Sequence, residues 1–200
     1  MTDDNAAHNP ALRNTVRTVA ALNLGYFGIE FAVALAIGSV ALFADSVDFL
    51  EDAAVNILIF IGMAWSAQKR AKLGMLLAII LLIPGLATLW TAWENFSAGH
   101  VPAATPLSLA GAGAGAVNFY CATLLARFRN DGGSLTRAAF LSARNDVLAN
   151  IAIVIAGLIT AATASHWPDL IAGLGIAAMN ADAAHEVFEA ARDEHAEAKP

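Results

Sequence analysis

The sequence has one cysteine, six prolines and two tyrosines, and only 14% of its residues are charged. The lone Cys121 cannot build a disulfide framework or a thiolate metal cluster. Basic residues are scarce too, with eleven Lys and Arg against seventeen Asp and Glu. The net charge of −6 leaves no basic patch of the kind a nucleic-acid binder needs. The N-terminus opens on Asp3 and Asp4 rather than the positive start of a secretory signal. The first apolar block is therefore expected to be a retained span. No His-Glu-x-x-His or serine–histidine set appears, so an enzyme is not expected.

What the chain has instead is apolar length. Hydrophobic residues make up 58% of the 200, and the mean hydropathy is +0.60. A soluble domain is roughly 45–50% apolar and about 25% charged. The apolar residues run in long blocks, and lipid is their expected solvent. A spanning helix needs about 20 mostly apolar residues. Six stretches qualify, at 17–40, 41–66, 72–95, 105–127, 136–162 and 167–188. The expected fold is all-α, a polytopic membrane protein with six transmembrane helices. Residues 1–14 form an N-terminal tail, 15–188 the six-helix domain and 189–200 a short C-terminal tail. Short connections fall at Gly38-Ser39, at 68–72, at 97–105, at 127–134 and at 165–168.

The basic residues orient this bundle. Arg13, Arg17, Lys69, Arg70, Lys72, Arg127, Arg129, Arg137, Arg192 and Lys199 lie at the N-terminus, the even-numbered connections or the tail. Arg144 falls inside the fifth span, and the odd-numbered connections carry none. The positive-inside rule then puts both termini in the cytoplasm of a cell (inner) membrane. Trp90, Trp93 and Trp167 fall where interfacial aromatics belong. Gly111, Gly113 and Gly115 alternate with alanine in the fourth span, a pattern for close helix packing.

Ionisable groups in a bilayer are functional-site candidates. The second span carries Asp45, Asp48, Glu51 and Asp52 within eight residues. Ionised in lipid, four such groups would cost on the order of 10 kcal/mol. They must meet protein, water, a cation or protons. Asp48, Asp52 and Asn56 are spaced by four and share one helical face. Ser142, Asp146 and Asn150 repeat that spacing in the fifth span. Paired carboxylates at this spacing repel unless a cation or proton lies between them. That is the chemistry of a divalent metal site, and of one exchanging metal for protons. Asp48 and Asp52 lie roughly 10–16 Å inside the outer boundary and Asp146 roughly 15 Å inside the inner one. The two sets are expected to meet near the midplane. Asn23, Glu30, Asn118, Arg144, Asn145, Asn180 and Asp182 are the other polar groups in spans. Arg144 is a candidate partner for Glu51 or a lower acid, and Glu30 and Asn118 are candidates either to line a proton or ion path or to pair with each other. Asp169, just after Pro168, suits a helix start. On a helical tail, His185 and Glu189 are a candidate weak metal pair, though a solvated face is the simpler expectation.

The stretch from Gly38 to Asp52 resembles the second helix of cation diffusion facilitator (cation efflux) transporters. In that family a Gly-Ser turn precedes Ala-Asp, and a His or Asp is followed four residues later by Asp. Asn23 to Glu30 is similar to their first helix. Arg144 to Asn150, with Trp167-Pro-Asp-Leu170, is similar to their fifth and sixth. The resemblance implies export of a divalent metal ion in exchange for protons, by a homodimer in the lipid bilayer. Its metal positions fall on Asp48, Asp52, Ser142 and Asp146. The metal is the transported substrate (zinc, cobalt, manganese or iron), and no cofactor is implied. Two features depart from the family. Ser142 stands where His or Asp is usual, and an all-oxygen set suits harder ions than zinc. The sequence also ends about a dozen residues past the sixth span, where the family commonly has a cytoplasmic metal-binding domain, and it has no His-rich fourth connection. These departures motivate a second expectation, a non-transporting membrane metal sensor or assembly partner of the same fold.

Overall fold

A computed structural model of the chain describes residues 10–62, 72, 75, 86–128 and 133–197. Among the described residues there are six helices and no strand. They are α1 (Pro10–Ile37), α2 (Val40–Gly62), α3 (described over 86–98), α4 (Ala104–Ala126), α5 (Gly133–Thr163) and α6 (Trp167–Glu197). The expected connection at 68–72 lies almost wholly outside the described residues. Among the described helices, three are long and apolar enough to cross a membrane: α1, α4 and residues Ala139–Thr163 of α5. The four acids of α2 spoil its apolar window.

The distribution of side chains is inverted relative to a soluble protein. On α1, Asn23 and Glu30 are buried while Leu24, Ile29 and Leu35 are exposed. Leu148, Leu158 and Ile171 are likewise exposed on α5 and α6. An apolar outside around a polar inside is the arrangement lipid selects. The protein is an all-α membrane protein.

The α1–α2 turn follows from two residues. Gly38 takes φ +64°, and the Ser39 amide reaches back to the Ala34 carbonyl at 3.1 Å, closing α1 in a Schellman arrangement. Ser39 then caps α2, accepting from the Leu42 amide at 3.1 Å. Asp169 of α6 completes the corner. Its Oδ2 accepts from the Val40 amide at 2.8 Å, and its Oδ1 from Ser39 Oγ at 2.5 Å and the Ala41 amide at 3.3 Å. Asp169 thus serves a helix start, but the start of α2. His100 donates from Nε2 to the Ile37 carbonyl at 2.9 Å, covering the same turn.

The remaining packing brings α2 to the centre. Here α1 and α2 form an antiparallel hairpin, with Tyr26 against Phe49 and Phe31 against Phe43. Helix α6 runs beside α2 in the same direction, with Gly173 against the Val40 backbone and Asn180 Nδ2 on the Ala44 carbonyl at 3.1 Å. A Cβ on Gly173 would sit 2.6 Å from the Val40 carbonyl carbon, so this crossing requires glycine. A Cβ on Gly111 would come within 2.7 Å of Ile153 Cγ2, and one on Gly113 would strike the Tyr26 hydroxyl. The fourth-span glycines therefore do allow close packing. Helix α1 begins well before the expected span at 17. Its first turns bury Leu12, Val16 and Val19 against Leu125 and Ala139, which holds them helical. Phe96 packs on Trp93 at 6.4 Å and on Trp167 at 5.9 Å, an aromatic cluster at the end of the bundle where α2, α4 and α6 begin.

Candidate functional site

The matched polar faces of α2 and α5 meet as an antiparallel ladder. On the first rung Ser142 Oγ donates to Asp52 Oδ1 at 3.0 Å. On the second the Asp48 and Asp146 carboxyls stand within hydrogen-bonding range of each other. On the third Asn150 Nδ2 donates to Asp45 Oδ1 at 3.4 Å. As the α2 number falls the α5 number rises, so each turn of one helix meets a turn of the other. From Asp52 to Asp45 the ladder climbs about 10 Å at 1.5 Å per residue. All four site residues expected from sequence, Asp48, Asp52, Ser142 and Asp146, lie on its first two rungs.

Helix α1 closes the ladder from the other side. Asn23 Nδ2 donates to Asp52 Oδ2 at 3.3 Å, and Cys121 of α4 donates from Sγ to Asn23 Oδ1 at 3.6 Å. Glu30 faces Asp45, their carboxyls also within hydrogen-bonding range. Asn23 and Glu30 are seven apart, two helical turns, and so share a face. That spacing is visible in the sequence. Cys121 carried no comparable signal.

Satisfaction of these groups is incomplete. Buried polar atoms are normally hydrogen-bonded, and each exception asks for a cause. Among the described residues, both Glu30 oxygens, Asp45 Oδ2, Asp146 Oδ2, Asn56 Oδ1, Asn150 Oδ1 and both polar atoms of Asn118 are buried without a partner. The expected Glu30–Asn118 pair does not form. Gly115 lies against Asn150, which puts Asn118, one turn further along α4, level with Asp146. The asparagines behave otherwise as helix partners: Asn56 Nδ2 donates to the Asp52 carbonyl at 2.9 Å, and Asn150 Nδ2 to the Asp146 carbonyl at 2.7 Å.

Among the described residues no cation neutralises the cluster. Arg144 is exposed, and its guanidinium turns to Asn145 Oδ1 at 3.3 Å. The expected pairing of Arg144 with Glu51 or a lower acid is therefore corrected. Arg144 is two residues from Asp146, and positions two apart point to opposite sides of a helix. Among the described residues no three His, Cys, Asp or Glu side chains converge as they stand on a point that would hold a metal ion. The carboxyls meet in pairs on successive rungs instead. The described histidine side chains lie elsewhere. His166 stacks on Trp167 at 5.2 Å, and His100 holds the α1–α2 turn. His8 and the side chains of Glu189 and His195 fall outside the described residues.

A buried column of carboxyls with unfilled acceptors, inside a sheath of apolar side chains, suits the passage of cations. The family model for the cation efflux transmembrane domain matches residues 16–193. No curated protein matches the chain. Members of this family are transporters rather than enzymes. The chain is a membrane-embedded cation transporter and belongs to the cation efflux family.

Proposed function

We propose that the protein exports a divalent metal ion in exchange for protons. Asp48, Asp52 and Asp146 bind the metal, and Ser142 or a water completes the set. The observation that carries this is the facing of the two spacing-four sets, with Ser142 on Asp52 and Asp48 against Asp146. These groups supply oxygen donors only, which suits magnesium or manganese better than a site with imidazole would. A carboxylate that takes up a proton gives up its place on the metal, so proton entry and metal release use the same atoms. The protein works as a homodimer in the inner membrane with both termini in the cytoplasm, an orientation supported by the basic residues of the even-numbered connections.

Metal-driven proton flux in proteoliposomes tests the reading, across magnesium, manganese, iron, cobalt, nickel, zinc and cadmium. Flux with one or a few of these ions, abolished by Asp52→Ala, is the expected result. Metal affinity should fall as the pH is lowered, because each ligand must shed its proton to bind. Flux that survives Asp52→Ala would defeat the assignment of the site. Metal binding without flux by folded protein would favour the sensor or assembly partner.

A further inference from the structure

A second group of oxygen atoms lies on the third rung, outside the proposed metal set. Glu30 and Asp45 are both 0% exposed, and Asn150 is 1% exposed. Two carboxyls within hydrogen-bonding range repel each other when ionised, and neither oxygen of Glu30 has a donor. Asp45 Oδ2 has none either. Asn150 reaches the pair through its amide, which donates to Asp45 Oδ1 at 3.4 Å, while its own Oδ1 is buried without a partner. The Tyr26 ring, which packs on Phe49, lies one turn before Glu30 on the same helix. Its hydroxyl is already spent on the Ala110 carbonyl at 2.7 Å, so it does not neutralise the pair. Two carboxyls and an amide from three helices therefore meet here, with both Glu30 oxygens and Asp45 Oδ2 left without donors. Glu30 is seven residues from the end of α1, and Asp45 five from the start of α2. The group therefore lies about 8–10 Å inside the end of the bundle that holds the α1–α2 turn.

The geometry points to a second divalent-cation site formed by Glu30 and Asp45, with Asn150 as the supporting amide that orients Asp45, between the proposed metal set and the α1–α2 end of the bundle. It takes a hard or borderline divalent ion, since all its donors are oxygen. It rests on the reading that the protein carries divalent metal. In that setting it is a second stop for the ion, one turn beyond Asp48. Asn150 links the two stops, because its Nδ2 also holds the Asp146 carbonyl.

Equilibrium dialysis of the full chain in lipid nanodiscs against manganese, and separately zinc, tests it. The wild type should bind two ions per chain. Glu30→Gln, which keeps the shape of the side chain, should bind one, and so should Asp45→Asn. Asn150→Ala should keep both ions but weaken the second about 10–100-fold, the usual cost of losing a supporting group. Asp52→Ala should lose the other ion and keep this one. Thermal melting without metal identifies any variant that fails to fold, and the Glu30 and Asp45 variants cover for each other. Wild-type stoichiometry and affinity in both Glu30→Gln and Asp45→Asn, with an ion still lost in Asp52→Ala, would overturn this site and leave the proposed transport site standing. Unchanged stoichiometry with fewer protons released per metal would also overturn it, and would make the pair a proton store. Two ions retained in Asp52→Ala, with one lost in Glu30→Gln, would defeat the proposed transport site and leave this one.

Discussion

Two buried aspartates in this protein have opposite surroundings. Asp169 is 2% exposed and Asp146 is 6% exposed, so burial does not separate them. Asp169 accepts from two backbone amides and one hydroxyl at the start of α2. Asp146 faces another carboxyl and keeps one oxygen without a donor. The helix N-terminus stabilises a negative charge at the first position. Among the described residues no donor or cation does so at the second. Supply of donors, rather than depth, distinguishes an acid that holds the fold from one proposed to bind a cation.

Substitution should separate the two acids cleanly. Asp146→Asn should produce the largest effect on function. Losing a supporting residue of a metal site costs about 10–100-fold in affinity, and a direct ligand costs more. Flux per reconstituted chain should fall accordingly. Thermal stability without metal should hold or rise, because a repelling charge is gone. A melting temperature that falls together with flux would erase the contrast. Asp169→Ala should do the reverse. It strips charge-assisted hydrogen bonds from the start of α2, a loss on the order of 3 kcal/mol. Thermal unfolding in detergent should show it, while folded protein keeps its flux. Gly173→Ala addresses the same corner from α6. The added Cβ meets the Val40 backbone, and such overpacking costs about 1–3 kcal/mol. Its melting temperature should drop less than that of Asp169→Ala, again with flux retained.

Much of this contrast was legible in the sequence, and its limits have physical reasons. The Gly38-Ser39 turn is encoded locally, by a glycine at positive φ followed by a capping hydroxyl. The spacing-four faces of α2 and α5 are also local, and antiparallel packing brings them into register. Asp169 was readable as a helix-start residue, yet it caps a helix some 130 positions away in the chain. No local pattern carries that information. Arg144 misled because its charge suits the acids, whereas its direction on the helix does not. Asn23 and Glu30 gave a usable signal in their seven-residue spacing, but the part each plays depends on which α2 rung it meets. The pairing of carboxyls rung by rung, rather than their convergence on one point, required the helices to be packed.

The finest distinction lies within the ladder itself, at Ser142. It is the one proposed ligand that donates a hydrogen bond to another, Asp52, at 3.0 Å. In that role it resembles the donors around Asp169 more than the bare acceptors of Asp146. If it also touches the metal, Ser142→His should place a nitrogen in the set and move the ion preference toward zinc. The expected shift in the zinc-to-manganese ratio is about tenfold, equivalent to about 1.4 kcal/mol. If Ser142 only orients Asp52, Ser142→Ala should weaken every ion alike and leave their order unchanged. Competition dialysis with the two metals separates these outcomes. An altered ion order in Ser142→His, with flux preserved, would make this rung the seat of selectivity. An unaltered order would leave Ser142 a donor that keeps Asp52 in place, and selectivity would then rest with the three carboxylates.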